Sequence, residues 1–266
     1  MRAMWTAASG MKSLQLSVDT ISHNLANVNT TGFKKIRTEF KDLLYVKLKN
    51  NEKIDGEVGA PVDLQIGHGV IPGANVKSFT QGALQRTDSI FDFAIEGEGF
   101  FEIEDVNGNL FYTRDGSFKL GLSEGGQSLL TSDGYYVQGE DGRINITGDV
   151  DDISVDTNGV VRVKYSDSEE GVYEEVGQIK LVKIANPQGL AAKGMNLYAV
   201  TTASGPALNL DDGEAGNIRQ GVLEMSNVQV VDEMVNLITA QRAYEINSKA
   251  IQTADQMLEL ANNLKR

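Results

Sequence analysis

The sequence predicts an α+β protein in which heptad helices at the two chain ends pair in a coiled-coil-like way and flank an inserted β-rich domain. Three observations lead to this prediction. Apolar residues recur at alternating spacings of three and four in residues 1–32, and a second heptad pattern follows in residues 226–266. Between them, short runs of alternating apolar and polar residues are separated by Asn-Gly and Asp-Gly dipeptides, as in β-hairpins.

The N-terminal helix is predicted from an unbroken a/d seam. Its members are Met4, Ala7, Met11, Leu14, Val18, Ile21, Leu25 and Val28. A seam with a period of 3.5 residues is typical of a helix that packs along another helix. We therefore expect the two chain ends to pair with each other or with copies of themselves.

A helix stop follows this seam at residues 31–35, TGFKK. We expect the helix to end near Thr31, with Gly32 in the left-handed conformation that glycine adopts without a steric penalty. Phe33 can then fold back onto Val28, as in a Schellman cap. The two lysines that follow Phe33 would interact with the negative end of the helix dipole.

The C-terminal helix is predicted from a second heptad pattern. The residues seven apart are Val230, Leu237, Tyr244, Ile251 and Leu258. Alanines occupy the matching second position, at Ala240, Ala254 and Ala261. The stripe is widened on one side by Ala243, Ala250, Met257 and Leu264, which leaves apolar surface for further partners. We expect this helix to begin at Ser226, with Gln229 completing a capping box.

Two asparagines in the N-terminal helix, Asn24 and Asn27, do not face the predicted seam. Asparagine is a mediocre helix former because its side chain competes for backbone hydrogen bonds. We expect both amides to bond a neighbouring subunit and to set its register. The alternative is that they are solvent-exposed amides, tolerated because surface positions are weakly constrained.

The middle of the chain, residues 76–205, is predicted to be the β-rich domain. Asn107-Gly108 and Asn158-Gly159 each lie between plausible strands, and residues 177–184 read as a further strand. Residues 33–75 and 206–225 are predicted to connect this domain to the terminal helical domain, which comprises residues 1–32 and 226–266. Within the first connector, residues 46–66 resemble a polar loop or an irregular hairpin.

The composition excludes several classes of function. The chain of 266 residues contains no cysteine, so disulfides and thiolate chemistry are excluded. A net charge of −13 makes nucleic acid an improbable partner. The only basic cluster is typical of a solvated face; it comprises Lys34, Lys35, Arg37, Lys41, Lys47 and Lys49.

No catalytic, cofactor-binding or metal-binding residue is predicted. The two histidines, His23 and His68, belong to no ligand spacing. No run of 18 apolar residues is present, so we expect no membrane-spanning helix. The N-terminus lacks the contiguous apolar region of a secretory signal peptide.

Several segments resemble the rod and hook axial proteins of the bacterial flagellum. SHNLANVNTTGFKK at residues 22–35 is similar to their N-terminal signature, and SNVQVVDEMVNLITAQRAYEINSKAIQTADQML at residues 226–258 is similar to their C-terminal signature. FKDLLY, LQIGHGVIP, AIEGEGFF and YTRDGSF are most similar to the distal rod members of that family. The resemblance extends over almost the whole chain.

The resemblance implies a structural subunit that polymerises into the tubular distal rod, the drive shaft between the proximal rod and the hook. It implies export by the flagellar type III apparatus without a cleaved signal, and a location in the basal body outside the cytoplasmic membrane. The implied partners are further copies of the chain, proximal rod proteins, the hook subunit, the ring bushing proteins and the export apparatus. The resemblance implies no cofactor.

Three alternatives remain open at this stage. The chain could be a proximal rod or hook-type axial subunit, which shares the terminal signatures. It could be a soluble binding module that dimerises through its helices and holds a ligand in the β domain. It could also be an enzyme that acts on cell wall, although no carboxylate pair among the acidic residues stands out as catalytic.

Overall fold

The computed structural model describes residues 2–49, 64–123, 126–148, 150–165, 173–209 and 216–264. The chain divides into two compact units. The helical unit comprises residues 1–26, 36–77 and 229–266, and the β unit comprises residues 27–35 and 78–228. The α+β class, with terminal helices flanking a β-rich insert, is confirmed.

The helical unit contains two long helices and four strands among the described residues. They are α1 (Arg2–Ala26), β1 (Ile36–Asp42), β2 (Tyr45–Lys49), β3 (Leu64–Gly67), β4 (Val70–Lys77) and α2 (Val230–Asn263). The helices are antiparallel, since Asn24 near the end of α1 contacts Glu233 near the start of α2. Further along, Gly10 of α1 lies against Asn247 of α2.

The four strands form two antiparallel ladders, β1 with β4 and β2 with β3. The second ladder pairs Tyr45 with Gly67 and Val46 with Ile66. It includes both ends of the irregular hairpin predicted at residues 46–66, while residues 50–63 lie outside the described part of the chain.

Side-chain hydrogen bonds, among them the following two, join helix α1 to the β1–β4 ladder. The Ser9 hydroxyl accepts a hydrogen bond of 3.3 Å from the Val70 amide, and the Thr20 and Thr38 hydroxyls lie 2.9 Å apart. Because these points lie at opposite ends of β1 and β4, the ladder is held along much of α1. Residues 36–77, expected to belong mostly to a connector, are therefore an integral part of the helical unit.

The β unit contains eighteen strands within its described residues. In chain order they are β5 (Leu84–Arg86), β6 (Phe93–Glu96), β7 (Phe100–Glu104), β8 (Leu110–Thr113), β9 (Phe118–Ser123), β10 (Gly126–Thr131), β11 (Tyr136–Gly139), β12 (Gly142–Arg143), β13 (Asn145–Ile146), β14 (Val150–Val155), β15 (Val160–Tyr165), β16 (Glu174–Gln178), β17 (Leu181–Ile184), β18 (Ala191–Gly194), β19 (Leu197–Ala199), β20 (Ala207–Asn209), β21 (Asn217–Gln220) and β22 (Val222–Glu224). A short 3₁₀ helix spans Pro187–Gly189.

Most of these strands join one antiparallel sheet. Its central path runs β13-β10-β11-β7-β8-β19-β18, with β9 on β10, β12 on β11, and β17 between β7 and β20. A separate sheet has the order β14-β15-β16, and β6 pairs with β21 while β5 pairs with β22. The last two pairings join the beginning of the β unit to its end, so they close this unit on itself.

Two apolar clusters form the core of the β unit. The larger one includes Phe93, Phe101, Ile103, Phe118, Leu129, Ile146, Val161 and Ile218. The smaller one comprises Phe100, Tyr112, Val182, Ile184, Leu190 and Tyr198, with Phe79 packed against it. Phe100 and Phe101 point to opposite faces of β7 and so belong to different clusters, as the alternation of a β-strand requires.

The predicted hairpin turns are confirmed. Gly108 joins β7 to β8 with a φ of +83°, and Gly159 joins β14 to β15 with a φ of +84°. The single strand predicted at residues 177–184 is two strands instead. Gly177 pairs with Val161 in the small sheet, whereas Leu181 pairs with Phe101 in the large sheet. The chain changes sheets between them, which a run of apolar alternation does not reveal.

The end of α1 differs from the prediction in part. The helix ends at Ala26 and not near Thr31, because residues 27–31 form turns that belong to the β unit. The left-handed conformation of Gly32 is confirmed by a φ of +66°. Its amide donates a 2.8 Å hydrogen bond to the Glu224 carbonyl. The folding of Phe33 onto Val28 stays a prediction.

The predicted capping box at the start of α2 is wrong. The helix begins at Val230, and its N-cap Gln229 makes no side-chain cap hydrogen bond. The preceding residues are engaged within the β unit, where the Asn227 side chain accepts a 2.7 Å hydrogen bond from the Lys35 amide. The same side chain donates a 2.9 Å hydrogen bond to the Ser78 carbonyl. These contacts keep residues 226–228 out of the helix.

A buried ionic cluster lies in the β unit. Glu224 accepts from the Lys34 ammonium at 2.6 Å and from the Arg114 guanidinium at 3.3 Å. The Gly82 amide adds a 2.8 Å hydrogen bond to the same carboxylate, and Lys34 also donates to the Thr80 carbonyl at 2.9 Å. Together these bonds join four separate segments of the chain.

The helix-dipole role and the solvated position expected of Lys34 are therefore wrong, since the residue is only 1% exposed. Burial lowers the pKa of Lys34, and the Glu224 carboxylate opposes that change. A buried ionic cluster is costly to break because removing one partner leaves an uncompensated charge.

Replacing Gly32 with alanine is expected to destabilise the β unit. A left-handed backbone costs an alanine about 1–2 kcal/mol, and the new methyl group would lie 2.7 Å from the Asp115 amide nitrogen. The free energy of unfolding, measured by urea titration, should fall by more than the backbone cost alone. Gly134→Ala is the matched control, because Gly134 has a φ of +87° with no atom within 4 Å of the added carbon. Equal losses in the two variants would contradict the packing argument.

The β unit is expected to lose stability between pH 10 and pH 12 through Tyr198. Burial, reinforced by the charge of Glu224, raises the pKa of Tyr198 from 10.0 to about 12. In that window the unfolded chain releases the phenolic proton while the folded chain keeps it, so the free energy of unfolding falls as the pH rises. The contribution of Tyr198 to the free energy of unfolding is fully present below pH 10 and amounts to about 2–3 kcal/mol.

The measurement is urea unfolding at a series of pH values for the wild type and for Tyr198→Phe. The variant should lose stability less steeply between pH 10 and pH 12, because it has no phenol to ionise at this position. Tyr173→Phe, which alters an exposed tyrosine, should follow the wild type. A Tyr198→Phe curve parallel to that of the wild type would contradict the assignment.

Candidate assembly surface

The two helices of the helical unit pack through small and polar side chains. On α2 the residues that face α1 recur every seven positions, at Glu233, Ala240, Asn247 and Ala254. On α1 the buried residues are Ala7, Ser13, Ile21 and Asn24. Small residues let the two backbones approach closely, but such a seam buries little apolar area.

The predicted seam residues of α1 lie mostly at the edges of this contact. Ile21 is buried, while Met11, Leu14, Val18 and Leu25 are half-buried. Three further predicted residues belong to the β unit, where Gly32 and Phe33 are buried and Val28 is half-buried.

The predicted stripe on α2 is covered only in part. Leu237 and Ile251 are half-buried, whereas Val230, Tyr244 and Leu258 are each more than 40% exposed. Val18 and Tyr244 line a groove between the helices with a volume of about 390 Å³. The remaining groove residues are polar: Gln15, Gln241 and Glu245.

A second apolar stripe near the start of α2 was missed by the sequence analysis. It comprises Val231, Met234, Val235 and Ile238, which are 74%, 50%, 54% and 47% exposed. Their spacing of i, i+3, i+4 and i+7 is a complete helical stripe, so the signal was present in the sequence. We call these four residues the N-terminal patch of α2.

Asn24 has a structural role inside the helical unit. Its amide nitrogen donates to the Ile36 carbonyl at 2.8 Å, and its amide oxygen accepts from the Ile36 backbone nitrogen at 2.9 Å. The same nitrogen lies 3.2 Å from a carboxylate oxygen of Glu233. Asn24 thus joins α1 to both β1 and α2.

The expectation that the Asn24 amide bonds a neighbouring subunit is wrong, because this side chain is 1% exposed and bonded within its own chain. Asn27 lies beyond the end of α1 and accepts a 3.2 Å hydrogen bond from the Thr30 hydroxyl. That the Asn27 amide also forms a hydrogen bond with a neighbouring subunit stays a prediction.

Neither a cluster of metal-ligating side chains nor a membrane-spanning helix is found in the described part of the chain. Among its residues, no group of three or more His, Cys, Asp or Glu side chains lies close enough to hold a metal ion. Within the same part of the chain, no helix is long and apolar enough to cross a membrane.

A paired set of terminal helices with uncovered apolar stripes is typical of structural proteins that bind other protein chains. Family comparisons agree with this class. A model described as "Flagella basal body rod protein" matches residues 4–34. One described as "Flagellar hook protein FlgE/F/G D1 domain" matches residues 94–163. A third, "Flagellar basal body rod FlgEFG protein C-terminal", matches residues 219–264.

Similar proteins cover the whole chain. The chain is 47% identical to the flagellar basal-body rod protein FlgG of Borreliella burgdorferi, over 100% of this chain and 99% of that protein. It is 43% identical to FlgG of Caulobacter vibrioides and 38% identical to FlgG of Bacillus subtilis, each over 100% of both chains. The chain belongs to the FlgG family of flagellar basal-body rod proteins.

Asn24→Ala is expected to destabilise the helical unit. The substitution leaves the Ile36 backbone groups without their side-chain partner, and an unpaired buried polar group costs about 1–3 kcal/mol. Hydrogen exchange should therefore speed up in β1 and in the first turns of α2. Ser22→Ala changes an exposed residue of the same helix and should leave the exchange unchanged.

The opposite outcome would restore the prediction made from the sequence. If Asn24→Ala left hydrogen exchange unchanged but prevented self-association, the amide would act on a neighbouring subunit instead.

Proposed function

We propose that this protein is a structural subunit that self-assembles into the tubular distal rod of the bacterial flagellar basal body, the shaft that links the proximal rod to the hook. The observation that carries the proposal is the exposed apolar surface of α2. Ten large apolar side chains of this helix are over 40% exposed in the single chain. Exposed apolar surface of this extent is typical of a protein–protein contact.

The size of the hydrophobic contribution fits assembly. Burying a Val, Leu, Ile or Met side chain completely stabilises a contact by about 1.5–3 kcal/mol. The four residues of the N-terminal patch are roughly half to three-quarters exposed, so covering them would contribute roughly 3–7 kcal/mol before the cost of association. Many such contacts along a filament add up to a stable polymer.

The geometry of the polymer follows from the type of contact. A head-to-tail contact whose rotation does not close generates an open helical filament. Two distinct surfaces on one subunit are sufficient for this, and the helical unit presents both the groove beside α1 and the uncovered stripes of α2. Close packing of helices would give the shaft its stiffness, because dense interiors transmit strain.

The partners and the location follow from the same proposal. The subunit would meet further copies of itself, proximal rod proteins, the hook subunit and the ring bushing proteins. It would lie outside the cytoplasmic membrane, in the periplasm and cell-wall zone, after export by the flagellar type III apparatus without a cleaved signal. The names of the similar proteins support a basal-body rod. In this role the protein has no catalytic activity.

Leu237→Asp is expected to abolish polymerisation. Leu237 is half-buried on α2, and a carboxylate there would place a charge within the apolar surface at a large desolvation cost. Electron microscopy and sedimentation of concentrated protein should show filaments for the wild type and none for the variant. Asn236→Asp adds the same charge at the adjacent exposed position and should still polymerise. Circular dichroism should show the β unit folded in both variants.

Two results would contradict the proposed function. One is a wild type that remains a compact monomer at high concentration, with both helices protected from proteolysis. The other is a wild type that stops at a discrete dimer, which would favour a soluble binding module. A shortened chain of residues 27–228, which lacks both helices, should not polymerise under any of these conditions.

A further inference from the structure

Two Asn-Gly pairs occur in the sequence, at Asn107-Gly108 and Asn158-Gly159. Besides forming hairpin turns, such a pair is chemically reactive. The backbone nitrogen that follows an asparagine can attack the carbon of its side-chain amide, and glycine obstructs this attack least because it has no side chain. Each turn is therefore a candidate site of deamidation, and the structure distinguishes the two.

The two turns share the same backbone hydrogen bond. The glycine amide donates to an aspartate carbonyl, from Gly108 to Asp105 at 3.0 Å and from Gly159 to Asp156 at 2.9 Å. The nitrogen that would attack is thus engaged in both turns, so a turn must open before its asparagine reacts. The rate of reaction in the folded protein then depends on the free energy of this local opening.

The β14–β15 turn is anchored by other segments of the β unit. Its three consecutive carbonyls accept hydrogen bonds from them: Thr157 from the Ile218 amide at 2.9 Å, Asn158 from the Gln178 side chain at 3.0 Å, and Gly159 from the Ile179 amide at 2.8 Å. Gly159 is also buried, and a Cβ added there would lie 2.9 Å from the Ile218 side chain. Opening this turn therefore breaks contacts with two distant strands.

The β7–β8 turn is exposed at both residues of its Asn-Gly pair. Two of its side-chain hydrogen bonds are local, since the Asp105 carboxylate accepts from the Val106 amide at 2.7 Å and from the Asn107 side chain at 2.9 Å. Water readily replaces exposed hydrogen bonds of this kind, so their net contribution is small. The β7–β8 turn consequently opens at a lower cost than the β14–β15 turn.

We infer that Asn107 is a site of spontaneous deamidation in the folded protein, whereas the fold protects Asn158. The Gly108 nitrogen loses its proton to solvent and forms a bond with the side-chain amide carbon of Asn107. The bond from that carbon to the amide nitrogen breaks, and the nitrogen takes up a proton and leaves as ammonia. Water then opens the cyclic imide at one of its two carbonyls and yields aspartate or isoaspartate. The reaction consumes water and releases ammonia, without an oxidant or a reductant.

Both products change the tip of the β7–β8 hairpin. Each carries a new carboxylate close to Asp105, and the Glu104 carboxylate lies 3.7 Å from the position of a Cβ on Gly108. Like charges so close together repel each other. Isoaspartate also routes the main chain through the former side chain of residue 107. The added backbone carbon displaces Gly108 from its hydrogen bond with the Asp105 carbonyl.

The test compares both sites within the same protein. The dilute full-length chain is incubated at mildly alkaline pH, digested at acidic pH to halt the reaction, and mapped by mass spectrometry. In native buffer Asn107 should be converted at least about fivefold faster than Asn158. In a urea concentration that unfolds the chain, the two rates should agree within about twofold, because the anchoring contacts are lost.

Two variants check the assignment. Asn107→Gln should yield no product in its peptide, because the longer side chain forms the cyclic imide far more slowly. Gln178→Ala removes one anchor of the β14–β15 turn, so it should speed the conversion of Asn158 by at least about threefold. The same variant should leave the rate at Asn107 unchanged, since Gln178 bonds the other turn.

Three results would overturn this inference. Equal rates at the two sites in native buffer would show that the anchors do not protect Asn158. Reaction at both sites in urea but at neither in native buffer would show that the β7–β8 turn does not open. An unchanged rate at Asn158 in Gln178→Ala would refute the protection by anchoring. None of these outcomes depends on polymerisation, which electron microscopy tests separately.

Discussion

The structure depends on the hydrogen bonds by which Asn24 holds Ile36. The chain leaves α1 at Ala26, runs through the β unit over residues 27–35, and returns to the helical unit at Ile36. The Asn24 amide forms hydrogen bonds with both backbone groups of Ile36. It therefore fixes the residue at which the chain re-enters the helical unit. These two hydrogen bonds fix the start of β1, and β1 in turn packs against α1.

The helical seam leaves much of the apolar surface of α2 uncovered in the single chain. The contact between α1 and α2 through Ala240 and Ala254 brings the helices close together but buries little apolar area. The larger side chains of α2 consequently remain outside the contact. In an isolated globular protein this exposure would be a liability; under the proposed function it is the surface through which copies of the subunit assemble.

Local patterns were predicted well, and contacts between distant segments were not. The Asn107-Gly108 and Asn158-Gly159 turns and the left-handed Gly32 depend on two or three adjacent residues, so the sequence was sufficient to identify them. The start of α2 was misplaced because the residues before it bond to segments that are far away in the chain. The N-terminal patch was missed although its spacing was visible, since the heptad stripe was the longer pattern.

The sequence by itself determined the class of the fold, the two terminal helices, the β-rich insert and the family resemblance, because periodicity and short signatures are properties of neighbouring residues. Only the tertiary structure decided that Lys34 is buried beside Glu224 and that Asn24 bonds its own chain. Solvent exposure depends on which distant segments cover a residue. A lysine at a helix end and a lysine in an ionic cluster are therefore alike in sequence and differ only in their three-dimensional surroundings.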